Sequence, residues 1–194
     1  MAEYSNYIET GEMRGYSLAM RIIHWLMALI MIWMMIAGIL MVNVYNKFDA
    51  TTNFLYHQHR GFGFVLLILV VVRLVLYRFN RPPSPLPAGM SPAQKLIAEA
   101  NHFLLYLALI LHPLLGWYAT NAWGVKDIPI FGLFTLPPLV EKNRELGDFL
   151  LMIHGYVGFA IVGLVALHIL GALWHLSQGD GVFSRMLKSK ITTN

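Results

Sequence analysis

Three stretches of this chain run without a single Asp, Glu, Lys or Arg for longer than a bilayer requires: Ile22–Asn46, Ala100–Val125 and Phe149–Gly179. Crossing a hydrocarbon layer of about 30 Å takes roughly 20 helical residues. Inside that layer no water serves the backbone N–H and C=O groups, so a segment crossing by itself must satisfy them internally, as an α-helix. Three membrane-spanning helices follow. A fourth apolar stretch, Phe62–Val72, is too short alone and is bracketed by Arg60 and Arg73. Extended to about 56–77 it becomes a fourth span, because Arg near a helix end reaches back to the interface and a deeper Arg turns toward the bundle interior. The predicted spans are about 18–43, 56–77, 96–119 and 148–177, in an all-α integral membrane four-helix bundle that forms a single domain over 1–194.

Composition agrees with that reading. The chain is 57% hydrophobic and 12% charged, against roughly 45–50% and about 25% in soluble domains. A water-soluble core has no room for such an excess. The formal net charge of +4 raises the question of nucleic acid, but the basic residues lie in short segments flanking the spans. They report topology, and the expected partner is membrane lipid, with no nucleic acid.

Arg14, Arg21, Arg73, Arg78, Arg81, Lys95, Arg185, Lys188 and Lys190 fall on the side shared by the two termini. Lys47, Arg60, Lys126, Lys142 and Arg144 fall on the other, partly balanced by Asp49, Asp127, Glu141, Glu145 and Asp148. The positive-inside rule then places both termini in the cytoplasm. The polar stretch Met1–Leu18 carries no apolar signal core, so the first apolar run is expected to remain as a helix. The proline-rich Arg81–Pro92 reads as a stiff extended linker, with Ser91-Pro92 as a start signal for the third helix. The external loop 120–147 is the longest connection, and its apolar-aromatic stretch IPIFGLFTLPPLV suits a surface-lying cap.

With no cysteine in the chain, any metal must be held by nitrogen or oxygen, and eight histidines are available. His154 and His168 lie 14 residues apart in the last span. At about 100° per residue both face one side of the helix, roughly 21 Å apart along its axis. The same interval separates His24 from Gly38, His59 from Arg73 and His102 from Gly116. Each span thus presents one face with a special residue near each membrane surface. Glycine suits the close approach of a flat macrocycle, and Gly63 and Gly158, each four residues after a histidine, would clear room similarly.

Alternating helix direction sets depth: His24 and His168 fall at the cytoplasmic level, His59 and His154 at the outer level. Two bis-histidine haems across the bilayer follow, with Arg73 placed to pair with a propionate of the inner one. Two other readings stand beside this: structural histidines hydrogen-bonded within the bundle, and a metal-ion transporter, although intramembrane carboxylates are missing.

The segments RIIHWLMAL, HRGFG with VVRL after it, NHFLLYLAL, HPLLGW, FGLFTLP and HGYVGFAIVGLVALHILGALWH resemble the bacterial cytochrome b561 family of small four-helix dihaem membrane proteins over nearly the whole chain. The resemblance implies two haem b groups in a bacterial inner-membrane protein, His24 and His168 ligating the inner haem, His59 and His154 the outer. It further implies an enzyme of the superoxide oxidase kind, which takes electrons from superoxide on the periplasmic side and reduces ubiquinone on the cytoplasmic side. His175 matches a family position beside the quinone, and also reads as an interfacial histidine near the end of its helix. His102 is expected to line the inner haem without ligating it.

Arg60 and Lys126, with Lys142 and Arg144 nearby, would steer the anion. His112, before Pro113, departs from the family pattern and reads as a core histidine bonding a carbonyl that the proline frees. His57 should point away from His59, and is the nearest replacement should His59 not ligate. The rival expectation is a non-catalytic cytochrome b subunit that relays electrons between the quinone pool and a periplasmic or membrane redox partner.

Overall fold

A computed structural model describes residues 12–43, 50–79 and 90–192. Residues 1–11, Lys47, Asp49 and positions 81–89 of the proline-rich linker lie outside the described residues. The described elements run β1 (Glu12–Arg14), α1 (Leu18–Asn43), α2 (Ala50–Phe79), α3 (Pro92–Trp123), β2 (Ile128–Ile130), β3 (Phe134–Leu136), α4 (Arg144–Gln178), a 3-10 turn Phe183–Met186 and β4 (Lys190–Thr192). The four α-helices are each long and apolar enough to cross a membrane. The chain is therefore a multi-pass α-helical membrane protein, with outward apolar side chains such as Leu29, Phe103, Tyr156 and Leu170 meeting lipid.

Three of the helices start earlier than their apolar runs do, and capping chemistry explains two of those starts. At α3 the Ser91 hydroxyl accepts from the Gln94 amide at 3.2 Å and the Gln94 side chain accepts from the Ser91 amide at 2.8 Å. With Pro92 in the first helical position, this reciprocal box begins the helix four residues ahead of 96. At α4 the Asn143 side chain accepts from Leu146 N at 3.1 Å, and Arg144 begins the helix four residues ahead of 148. In α2 the helix runs from Ala50 where the apolar run suggested 56, its polar first turns preceding the apolar stretch. At 35 residues α4 is about 52 Å long, so its ends extend beyond the hydrocarbon layer.

Packing divides the chain into two compact units. The first comprises the described parts of Met1–Leu26, Val71–Leu104 and Leu164–Asn194, the second those of Met27–Val70 and Leu105–Gly163. Each unit takes one segment from each of the four helices.

In the second unit, Ala37, Met41 and Leu55 are buried together with Trp33 and Leu40 against them. The connection between α3 and α4 folds as a β2–β3 hairpin, with Ile128 opposite Leu136 and Ile130 opposite Phe134. Its turn places Phe131 and Gly132 at positive φ, the backbone a tight hairpin requires. Ile128, Ile130 and Leu136 pack on Phe64, Trp117 and Val125, and the Trp117 indole donates to Pro137 O at 3.1 Å.

In the first unit the two ends of the chain are clasped together. β1 pairs antiparallel with β4, so both ends lie on one side of the membrane. Gly15 N donates to Ser189 O and Tyr16 N to Arg185 O, at 2.9 and 3.0 Å. From α1, the Arg21 guanidinium donates to Leu187 O and the Trp25 indole to Met186 O. Gly15 permits the approach, since a Cβ there would lie 1.8 Å from Lys188 O. Gly15→Ala must push two backbones apart, and we expect a cost of roughly 1–3 kcal/mol with faster hydrogen exchange at Gly15 and Tyr16. Exchange rates equal to wild type at both amides would show that the clasp tolerates the methyl group.

Candidate functional site

The four histidines singled out by their 14-residue spacing come together in two pairs. In the first unit His24 of α1 and His168 of α4 have ring centroids 6.1 Å apart with planes at 67°. In the second unit His59 of α2 and His154 of α4 are likewise 6.1 Å apart, with planes at 78°. The distance bears on what such pairs can hold. An imidazole nitrogen sits roughly 2 Å from a bound metal and its ring centre about 1 Å further, so two axial rings on one metal have centroids on the order of 6 Å apart.

The surroundings of the first pair are polar. Arg73 is 7% exposed and its guanidinium donates to Met20 O at 3.1 Å, so the buried cation is held at the start of α1. His102 meets His168 edge-on at 5.1 Å, and its Nδ1 donates to Ala98 O at 2.6 Å, a bond that fixes the ring from its own helix. Asn101 beside it is buried with its side-chain oxygen lacking a partner. Further along α4, His175 donates from Nδ1 to Asp180 at 2.5 Å, and the other oxygen of that carboxylate accepts from Val182 N at 3.0 Å.

The second pair is surrounded by glycine and by a third imidazole. Gly38 faces His59 Cε1 at 3.6 Å from an added Cβ, while Gly63 faces the Met34 methyl group at 3.5 Å. On α3, Gly116 faces His154, whose Cε1 would be 2.8 Å from a Cβ there. Gly158 of α4 in turn faces His112 of α3, at 3.8 Å. The two antiparallel helices thus interlock through His112-x-x-x-Gly116 and His154-x-x-x-Gly158, each histidine seated on the other helix's glycine.

This corrects the expectation for His112. Its Nδ1 is buried without a hydrogen-bond partner, and its ring lies parallel on His154 at 3.7 Å and 6°, so it bonds no carbonyl freed by Pro113. The absence of Cβ at Gly158 leaves the facing ring of α4 as the surface closest to hand. The signal was present in the sequence as the same four-residue His-Gly interval in HPLLG and HGYVG.

His57 is exposed and, with Gln58, Pro129, Phe131 and Gly132, lines a shallow pocket of about 310 Å³ at the hairpin. Of the basic residues, Arg60 lies over the Tyr56 ring at 5.5 Å and Lys126 is exposed. Arg144 is engaged, 3.2 Å from Asp148 and 3.9 Å over Trp123.

Buried imidazole nitrogens without partners are costly, roughly 1–3 kcal/mol each. His59 and His112 each keep Nδ1 in that state, and His154 Nδ1 has only the backbone of His112 against it, without a well-formed bond. Among the described residues no three His, Asp or Glu side chains are grouped to hold a bare metal ion. Pairs of imidazoles about 6 Å apart suit instead a metal whose other positions are already filled by a macrocycle, which needs only two ligands from the protein. The residues present therefore fit haem.

Fold and site together define a multi-pass membrane protein with paired intramembrane imidazoles in each of two units. The sequence profile of prokaryotic cytochrome b561 matches residues 15–189, and the chain belongs to that family of bacterial inner-membrane electron-transfer proteins, which implies b-type haem. It is 31% identical over 179 residues to cytochrome b561 homolog 2 of Escherichia coli (strain K12), covering 92% of this chain and 94% of that one. To the probable superoxide oxidase CybB of Yersinia pestis it is 29% identical over 133 residues, 68% of this chain and 74% of that one.

Gly116→Ala drives a methyl group into His154, and we expect it to cost roughly 1–3 kcal/mol. Gly155→Ala, one residue after His154 with nothing within 4 Å of an added Cβ, serves as the control and should hold or gain stability. Thermal unfolding of the two purified variants side by side checks this, and equal midpoints would contradict the close seat at Gly116.

Proposed function

We propose that the chain carries electrons across the bacterial inner membrane between two b-type haems, oxidising superoxide on the periplasmic side and reducing ubiquinone on the cytoplasmic side. The observation that carries this reading is the pair of imidazole pairs, one in each unit and each with centroids 6.1 Å apart. His24 and His168 would hold one haem, on the cytoplasmic side by the distribution of basic residues, and His59 and His154 the other. When bound, haem would supply a one-electron couple, its potential set by the histidines that hold it and the polarity around them. The likeness to a protein named as a probable superoxide oxidase supports the choice of donor.

The balance is two superoxide anions giving two electrons to one quinone, which takes two protons from the cytoplasm to become quinol, with two molecules of dioxygen released. The chain's own residues serve the ends of that process. Arg60 and Lys126 would raise the local concentration of the anion, a long-range attraction that salt screens. His175, held through Nδ1 by Asp180, leaves its other ring nitrogen to hydrogen-bond a quinone oxygen. Arg73 offers a buried cation for a propionate in the unit of His24 and His168.

His24→Ala and His154→Ala should each remove one haem, and different ones, as counted in reduced-minus-oxidised spectra of purified protein. Loss of the same haem in both would refute the pairing. Mixing protein and quinone with a superoxide source should reduce the haems and form quinol, more slowly as salt rises or when Arg60 and Lys126 are both neutralised. Haem reduction no faster than in free solution and insensitive to those changes would remove superoxide as donor and leave a carrier fed by a docked redox protein.

A further inference from the structure

The third imidazole of the second unit lies outside the ligand scheme. His112 and His154 stack face to face, 3.7 Å between centroids and 6° between planes. Aromatic rings left to themselves prefer offset or edge-on contacts, as the other ring pairs of this unit do. A parallel stack at such close range is imposed by the backbones, and the interlock of His112 on Gly158 and His154 on Gly116 is what imposes it.

The result is a ring with little freedom to turn. His154 has its edge against the Gly116 backbone and its face against His112, both presented by one face of α3 at positions four apart. Rotation about the Cβ–Cγ bond would drive the imidazole into one or the other. A ligating histidine is ordinarily oriented by a hydrogen bond from its second nitrogen to a carbonyl or carboxylate. His154 Nδ1 is buried without a well-formed hydrogen bond, with only the backbone of His112 against it, and His112 Nδ1 has no partner. In the other unit His102 meets His168 edge-on, at 88°, and is tied to its own helix, so it offers no flat surface to that ring.

We propose that His112 is a positioning residue for the second haem: its flat face sets the plane of the His154 imidazole. The inference rests on His154 being an axial ligand. It assigns His112 no bond to iron and no proton to carry; what matters is the ring's shape and place. A phenyl ring therefore does the same work, and a methyl side chain does not.

The test uses the purified holoprotein and the low-spin ferric electron paramagnetic resonance spectrum, which responds to the angle between axial imidazole planes. His154→Ala first identifies which of the signals belongs to this site. In His112→Ala that signal should shift or broaden and the midpoint potential of that haem should move, with the other haem unchanged as the internal control for folding. His112→Phe should return both to wild type.

A wild-type signal and potential in His112→Ala would overturn the proposal, as would a His112→Phe protein as disturbed as His112→Ala. Should His112→Ala fail to accumulate, His112→Phe alone decides, because an altered signal there is incompatible with a role for the flat face. Retention of both haems in His154→Ala would instead show that the ligand assignment, and not the stack, is at fault.

Discussion

An imidazole ring placed among hydrocarbon side chains needs a close neighbour shaped for it, and for His24, His59, His112 and His154 that neighbour lies on another helix. That requirement governs the bundle more than apolar packing does. Lipid tails are as apolar as leucine, so helices in a membrane gain little from hiding leucine against leucine. Specific pairing comes from polar contacts and from close approach at small residues. Here both are supplied by the same motif, a histidine followed four residues later by glycine, used on α3 and α4 in reciprocal fashion.

The histidine pairs were legible because they depend on one variable only. Depth along a helix follows from residue number at 1.5 Å per residue, and alternating direction brings His24 level with His168 and His59 level with His154. The structure places those rings together at 6.1 Å. Hydropathy likewise found the four spans, because the hydrocarbon layer leaves the backbone one solution. The rest depends on variables that spacing does not carry. His112 reaches His154 only because of how α3 is rotated about its own axis, and no count of residues contains that angle.

The β2–β3 hairpin was hidden for a different reason. Each strand has three residues, too short for an alternating pattern to emerge from a loop that is apolar throughout, and its turn uses Phe131 where glycine or asparagine would have announced it. Asp180 escaped notice because its pairing with His175 spans the end of α4, where Gly179 at positive φ reverses the chain and returns the carboxylate to the last turn. The apolar runs understated helix length wherever caps lay in polar sequence, as at Ser91 and Asn143.

The clasp between the chain ends carries a consequence for how the protein is made. The donors of Arg21 and Trp25 belong to α1, while their acceptors, Leu187 and Met186, follow α4, 166 and 161 residues further along the chain. Helix insertion can proceed span by span, but this contact waits until all four spans have been made. The first unit, which contains His24 and His168, is therefore assembled from three segments that are widely separated in the sequence. Its closure depends on the stretch that follows α4, a dependence that the second unit, built from 27–70 and 105–163, does not share.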